Sequence, residues 1–160
     1  VVGFAVHASG LILSRLIGAR SLKKGNVVGN ASFGVTLDAV AYIMFITMPN
    51  MVGYFGSAIV LGLGNGHLWP AMQNMFINLT DNYHRGTASA SMLVSWDAGM
   101  GVGIIVGGIV SETFSYTQAF RLGAAVMVAG MLFFFLHCRR HYMRGAALNA
   151  QRLHKHQRET

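Results

Sequence analysis

From Ala39 to Thr80 the chain runs for 42 residues without a single Lys, Arg, Asp or Glu. A helix on the surface of a soluble domain carries charge on the face it turns to water. A stretch this long has no such face. Pro49-Asn50 and Pro70 are the only points that interrupt its helical character. Two apolar runs joined at Pro49-Asn50 fit a helical hairpin that crosses a bilayer twice, since each crossing takes about 20 apolar residues. The expected fold class is therefore all-α, a polytopic membrane helix bundle.

Charge placement supports this. Charged residues make up only 11% of the 160, against about 25% in an average soluble domain. The net charge of +7 is not spread out. Arg15, Arg20, Lys23 and Lys24 form one cluster, and Arg139, Arg140, Arg144, Arg152, Lys155 and Arg158 form another in the tail. Basic clusters beside apolar segments read as cytoplasmic flanks, so no nucleic-acid partner is expected. Cys138 is the single cysteine and excludes an intrachain disulfide. The chain begins at Val1 directly in apolar sequence, so no signal peptide is expected, and the lack of an initial Met reads as a fragment or a processed chain.

Five spans are expected, at about 1–17, 27–48, 51–79, 86–110 and 119–137, followed by a basic cytoplasmic tail over 138–160. The connections run basic, neutral (Pro49-Asn50), mixed (Asp81, His84, Arg85) and acidic (Glu112), and the tail is basic. That alternation places Val1 outside and Thr160 inside, with the tail able to touch anionic lipid headgroups. Glycine supplies a second signal. Gly62 and Gly66, followed by Pro70, and then Gly99, Gly103 and Gly107, recur at spacings of four. They set small residues on one helix face, as close helix packing in lipid requires. Pro70 is expected to kink the third helix.

Several motifs carry a resemblance. Gly10-Leu-Ile-Leu-Ser-Arg15-Leu-Ile-Gly18-Ala-Arg20, closed by Lys23-Lys24-Gly25, resembles the helix-loop-helix signature of the major facilitator superfamily, although Ser14 stands where an Asp is expected. Arg85-Gly86-Thr-Ala-Ser-Ala is similar to the start of a later helix in that family. Asp97-Ala-Gly99-Met-Gly101-Val-Gly103 and Gly62-Leu-Gly64-Asn-Gly66 are similar to its Gly-rich helices. The order resembles helices eight to twelve of a twelve-helix transporter. The resemblance implies a secondary transporter in the inner membrane of a bacterium, its missing N-terminal bundle belonging to the same chain. It also implies alternating access around a midplane site, proton-coupled efflux of a small molecule, and gating roles for Gly10, Arg15, Gly18, Arg20, Arg85 and Gly86. The first, third and fourth segments would face the cavity or the other bundle, and the second and fifth would lie more peripherally.

Ionisable groups inside a membrane are functional candidates by default. Asp97 reads either as a proton carrier or as a structural partner for an Arg of the other bundle. Asp38, in a segment expected to be peripheral, reads as a coupling or charge-pair group or as a packing group. Asn65, Trp69, Gln73 and Phe76 follow spacings of three and four. They line a candidate face for an amphipathic organic substrate, unless the amides simply bond neighbouring helices. His7 reads as packing, and Arg121 as reaching the outer interface. His137, His141, His154 and His156 lack a trustworthy ligand geometry, so no metal and no cofactor are expected. No phosphate loop or hydrolytic triad is readable, and no enzymatic activity is expected. The reading from another class is a membrane scaffold that packs through its glycine faces.

Overall fold

The computed structural model describes residues 2–23, 26–80 and 82–145; for residues 2, 4, 15–23 and 82 it describes the backbone alone. The fold is all-α, and the described residues contain no strand. Helix α1 spans Val2–Lys23, α2 Val27–Thr47, α3 Met51–Asn78, α4 Arg85–Thr113 and α5 Tyr116–Phe133. A 3-10 turn at Asn82–His84 leads into α4. A π-helical stretch, Phe134–Cys138, continues α5, and the helical rod reaches Gly145. Helix therefore extends eight residues past His137, into the stretch expected as tail. The remainder of that tail, with His154 and His156, lies outside the described residues.

The breaks between helices are chemically specified. Asn26, Asn50 and Ser115 each stand at an N-cap. Their side chains accept from the backbone N–H of Gly29 (3.1 Å), Gly53 (2.7 Å) and Gln118 (3.3 Å), satisfying donors that a helix start otherwise leaves open. Pro49 disfavours helical backbone at the residue before it, and α2 ends at Thr47. Pro70, by contrast, does not end α3, which runs through it to Asn78. The Asn74 amide donates to the Pro70 carbonyl at 2.8 Å.

Helix α3 is the spine. It packs along α1 on one side and α2 on the other, while α5 leans on α2 and α4 touches α5 and, more sparsely, α3. Gly3 meets Tyr54, Gly10 meets Gly62 and Ser14 meets Gly66, so α1 and α3 run parallel. Gly34 meets Leu68, Met44 meets Gly56 and Met48 meets Gly53, so α2 and α3 run antiparallel. The α1–α3 crossing is backbone on backbone. A Cβ on Gly10 would stand 2.7 Å from the Ile59 carbonyl oxygen and 3.1 Å from the Gly62 Cα. Only glycine at both positions allows that approach, which is how helices associate where no hydrophobic force separates them from lipid.

At the end of the bundle where α2 begins and α3 ends, Val27, Ala31, Val35, Ala71, Met75, Phe134 and Tyr142 form a compact core. There the Asn78 amide donates to the Tyr142 hydroxyl at 3.1 Å, tying the end of α3 to the extension of α5. Among the described residues, three helical stretches are long and apolar enough to cross a membrane: Val27–Thr47, Arg85–Thr113 and Tyr116–Gly145. Helix α3 has the length but not the mean hydropathy. Its uncharged sequence is diluted by Asn65, His67, Gln73, Asn74, Asn78 and glycines. The most apolar window of α2 is 44% buried within the described chain, whereas that of α4 is 0% buried.

Candidate functional site

The middle of the bundle holds a cleft of about 310 Å³ lined by His7 and Leu11 of α1, Asn65, Gly66, Trp69 and Pro70 of α3, and Trp96 of α4. Asn65 is the fifteenth of the 28 residues of α3, and Trp96 the twelfth of the 29 of α4. The cleft therefore sits at mid-depth. Trp69 and Trp96 meet edge to face, centroids 4.9 Å apart with planes at 89°, an arrangement their ring quadrupoles favour. The Asn65 side chain makes no hydrogen bond to the described residues, so its amide is free to orient a solute. His7 Nδ1 donates to the Ala58 carbonyl at 3.3 Å. That bond requires the proton on Nδ1 and leaves Nε2 as an acceptor when the ring is neutral.

The four residues expected to share a face are only partly brought together. Asn65 and Trp69 line the mid-depth cleft. Gln73 is exposed and lines none of the cavities described here. Phe76 lines a different cavity of about 570 Å³, between α3, α4 and the α5 extension, with His84, Cys138, His141 and Tyr142. Trp96 and Leu11 were not foreseen, and His7, read as packing, joins them. The available signal was the position of Trp96 beside Asp97, the one acidic residue inside α4 before its last turn.

Asp97 is exposed and has no ion-pair partner among the described residues. Asp38 differs sharply. It is buried at 4% exposure between α2 and α3, its Oδ1 has no hydrogen-bond partner among the described residues, and it lies so close to Gly64 that a Cβ there would collide with that oxygen. His67, also buried, donates from Nδ1 to the Leu63 carbonyl at 2.9 Å and meets Phe33 edge-on.

The glycines divide by helix. Gly62 and Gly66 pack against α1, while Gly99, Gly103 and Gly107 have open space around them, and so does Gly86. Arg85 is exposed at the start of α4. The side chains of Arg15 and Arg20 and the surroundings of Gly18 lie outside the described residues. Among the described residues no group of three His, Cys, Asp or Glu is placed to hold a metal.

Long apolar helices crossing through glycine faces around a mid-depth cleft define an integral membrane protein of the transporter class. The chain belongs to the Major Facilitator Superfamily, whose family model matches residues 2–155. No curated protein and no solved structure matches it.

Proposed function

We propose that this chain is part of a secondary transporter that exports a small amphipathic organic solute by alternating access, in exchange for protons. The observation that carries this reading is the mid-depth cleft, where two tryptophans, an unengaged amide and a histidine acceptor converge. Its volume falls within the range of small-molecule sites, and its few polar groups on an apolar wall fit an amphipathic ligand. Helices α1 to α5 then correspond to helices eight to twelve, and the open side of the cleft faces an N-terminal bundle of the same chain. The basic flanks support a cytoplasmic C-terminus, and a bacterial inner membrane is part of the same proposal.

Asp97 is the proposed proton carrier. It adjoins Trp96 in sequence, it lies in the middle third of α4, and no described cation engages it. Export driven by a proton gradient should be abolished in Asp97→Asn while solute binding persists; undiminished export would end the proton assignment. Trp69→Ala and Asn65→Ala should change which solutes are carried while folded yield is retained. Loss of folding without any change of solute profile in the material that survives would return both residues to helix packing.

A further inference from the structure

A second cavity, of about 380 Å³, lies nearer the N-terminal ends of α1 and α3. Its lining includes Tyr42, Phe45, Tyr54 and Phe120, with His7 and Ser57 as its polar groups and no charged side chain of either sign. The rings form a wall rather than a stack: Phe45 meets Phe120 at 4.9 Å and 63°, and Tyr54 at 6.2 Å and 53°. Gly3 gives the Tyr54 ring room, because a Cβ on Gly3 would press into it, and the Tyr42 ring rests 3.9 Å from the position of a Cβ on Gly123. Phe45, Tyr54 and Phe120 also wall a further cavity of about 400 Å³ at the Pro49-Asn50 turn. His7 lines both this aromatic cavity and the mid-depth cleft. The three cavities thus follow one another from the α2–α3 turn to the centre of the bundle, sharing lining residues at each step.

We propose that the aromatic cavity is a binding site for a lipophilic organic monocation, outward of the mid-depth cleft. Ring faces carry negative electrostatic potential and attract a cation most strongly where water is excluded, as quaternary ammonium recognition by aromatic cages illustrates. No lysine or arginine stands in the lining to oppose a positive ligand or to hold an anion. The Tyr hydroxyls, Ser57 and His7 Nε2 can accept hydrogen bonds from a protonated amine. This rests on the transporter reading only for its purpose, since it makes the cavity the outer station of the exported solute; the binding chemistry stands apart from turnover.

The test is equilibrium binding of tetraphenylphosphonium to the full chain in nanodiscs, with empty nanodiscs as the blank. Competition by phenyltrimethylammonium is compared with its uncharged isostere, tert-butylbenzene. The cation should displace the probe at least about tenfold better than the isostere. Tyr54→Ala and Phe45→Leu should each weaken probe binding about five- to tenfold, the range expected of a desolvated ring–cation contact, while Tyr54→Phe binds like the parent. Phe45→Leu keeps an apolar side chain in place, so it serves if Tyr54→Ala does not fold. Equal competition by the isostere, or parental affinity in the folded ring variants, overturns the proposal. Probe binding lost in Trp69→Ala but kept in Phe45→Leu also overturns it, by moving the cation to the mid-depth cleft, and leaves the transporter reading intact.

Discussion

Helices α3 and α4 have similar ingredients and opposite surroundings. Each is 28 or 29 residues long, and each carries glycines at spacings of four. In α3 the glycines are enclosed: Gly62 and Gly66 against α1, Gly64 against Asp38 of α2. In α4, apart from the helix's own backbone, nothing described stands within 4 Å of a Cβ placed on Gly99, Gly101, Gly103, Gly107 or Gly108, and only Ala88 and Met92 of that helix are buried. A small-residue face is an offer of close approach, and the neighbour decides whether it is taken up. Within the proposed function, the neighbour of α4 is the other bundle. Its smooth face would then be the surface that slides as access alternates, while α3 is the fixed spine.

The strongest way to break this contrast is to place a branched side chain on the α3 face. Gly62→Val puts a Cβ against the His7 carbonyl oxygen, a backbone atom that cannot rotate away. The helices must separate, and the expected loss is about 3 kcal/mol, the upper part of the usual cost of overpacking. Thermal unfolding followed by size-exclusion in detergent should show a large downward shift; parental stability would mean that α1 and α3 do not cross at Gly10 and Gly62. A smaller effect is expected where the two helices touch. Trp96→Leu removes the edge-to-face contact with Trp69 and should cost about 1 kcal/mol, read as a modest loss of thermal stability. A loss as large as that of Gly62→Val would show α4 to be held far more firmly than its exposed surface indicates.

How legible was this in the sequence? The all-α class was, because 42 uncharged residues leave few alternatives, and so was the α2–α3 break, because Pro49 ends one helix and Asn50 caps the next. The π-helical stretch at Phe134–Cys138 was not, since Phe-Phe-Leu-His-Cys contains no Gly or Pro to announce it. The third span was expected to continue through Pro70, and α3 does so to Asn78, held on either side by α1 and α2. The candidate face was half legible for a geometric reason. Steps of four overshoot a helical turn by about 40°, so Gln73 has turned about 80° from Asn65. Phe76 returns to nearly the same angle, but eleven residues further along, about 16 Å away, where it belongs to another cavity. Spacing reports angle and says nothing about depth. Trp96 was beyond the reach of spacing because it comes from another helix, and no periodicity within α3 can name a partner across a contact; only its place beside Asp97 marked it.

The last comparison sharpens what covers α4. Gly103→Leu adds a large side chain where nothing stands within 4 Å of a Cβ. In this five-helix unit the change should leave thermal stability within about 0.5 kcal/mol of the parent, as expected for substitutions away from packed features. In the full transporter in its native membrane, the same substitution should reduce export strongly, because close helix approach through glycines tolerates no bulk. The two measurements together carry the argument. Unchanged stability with lost export means that the face is open within this unit and occupied by a second bundle during transport. Unchanged stability with unchanged export means that the face meets only lipid, and then the glycines of α4, unlike those of α3, do not serve packing at all.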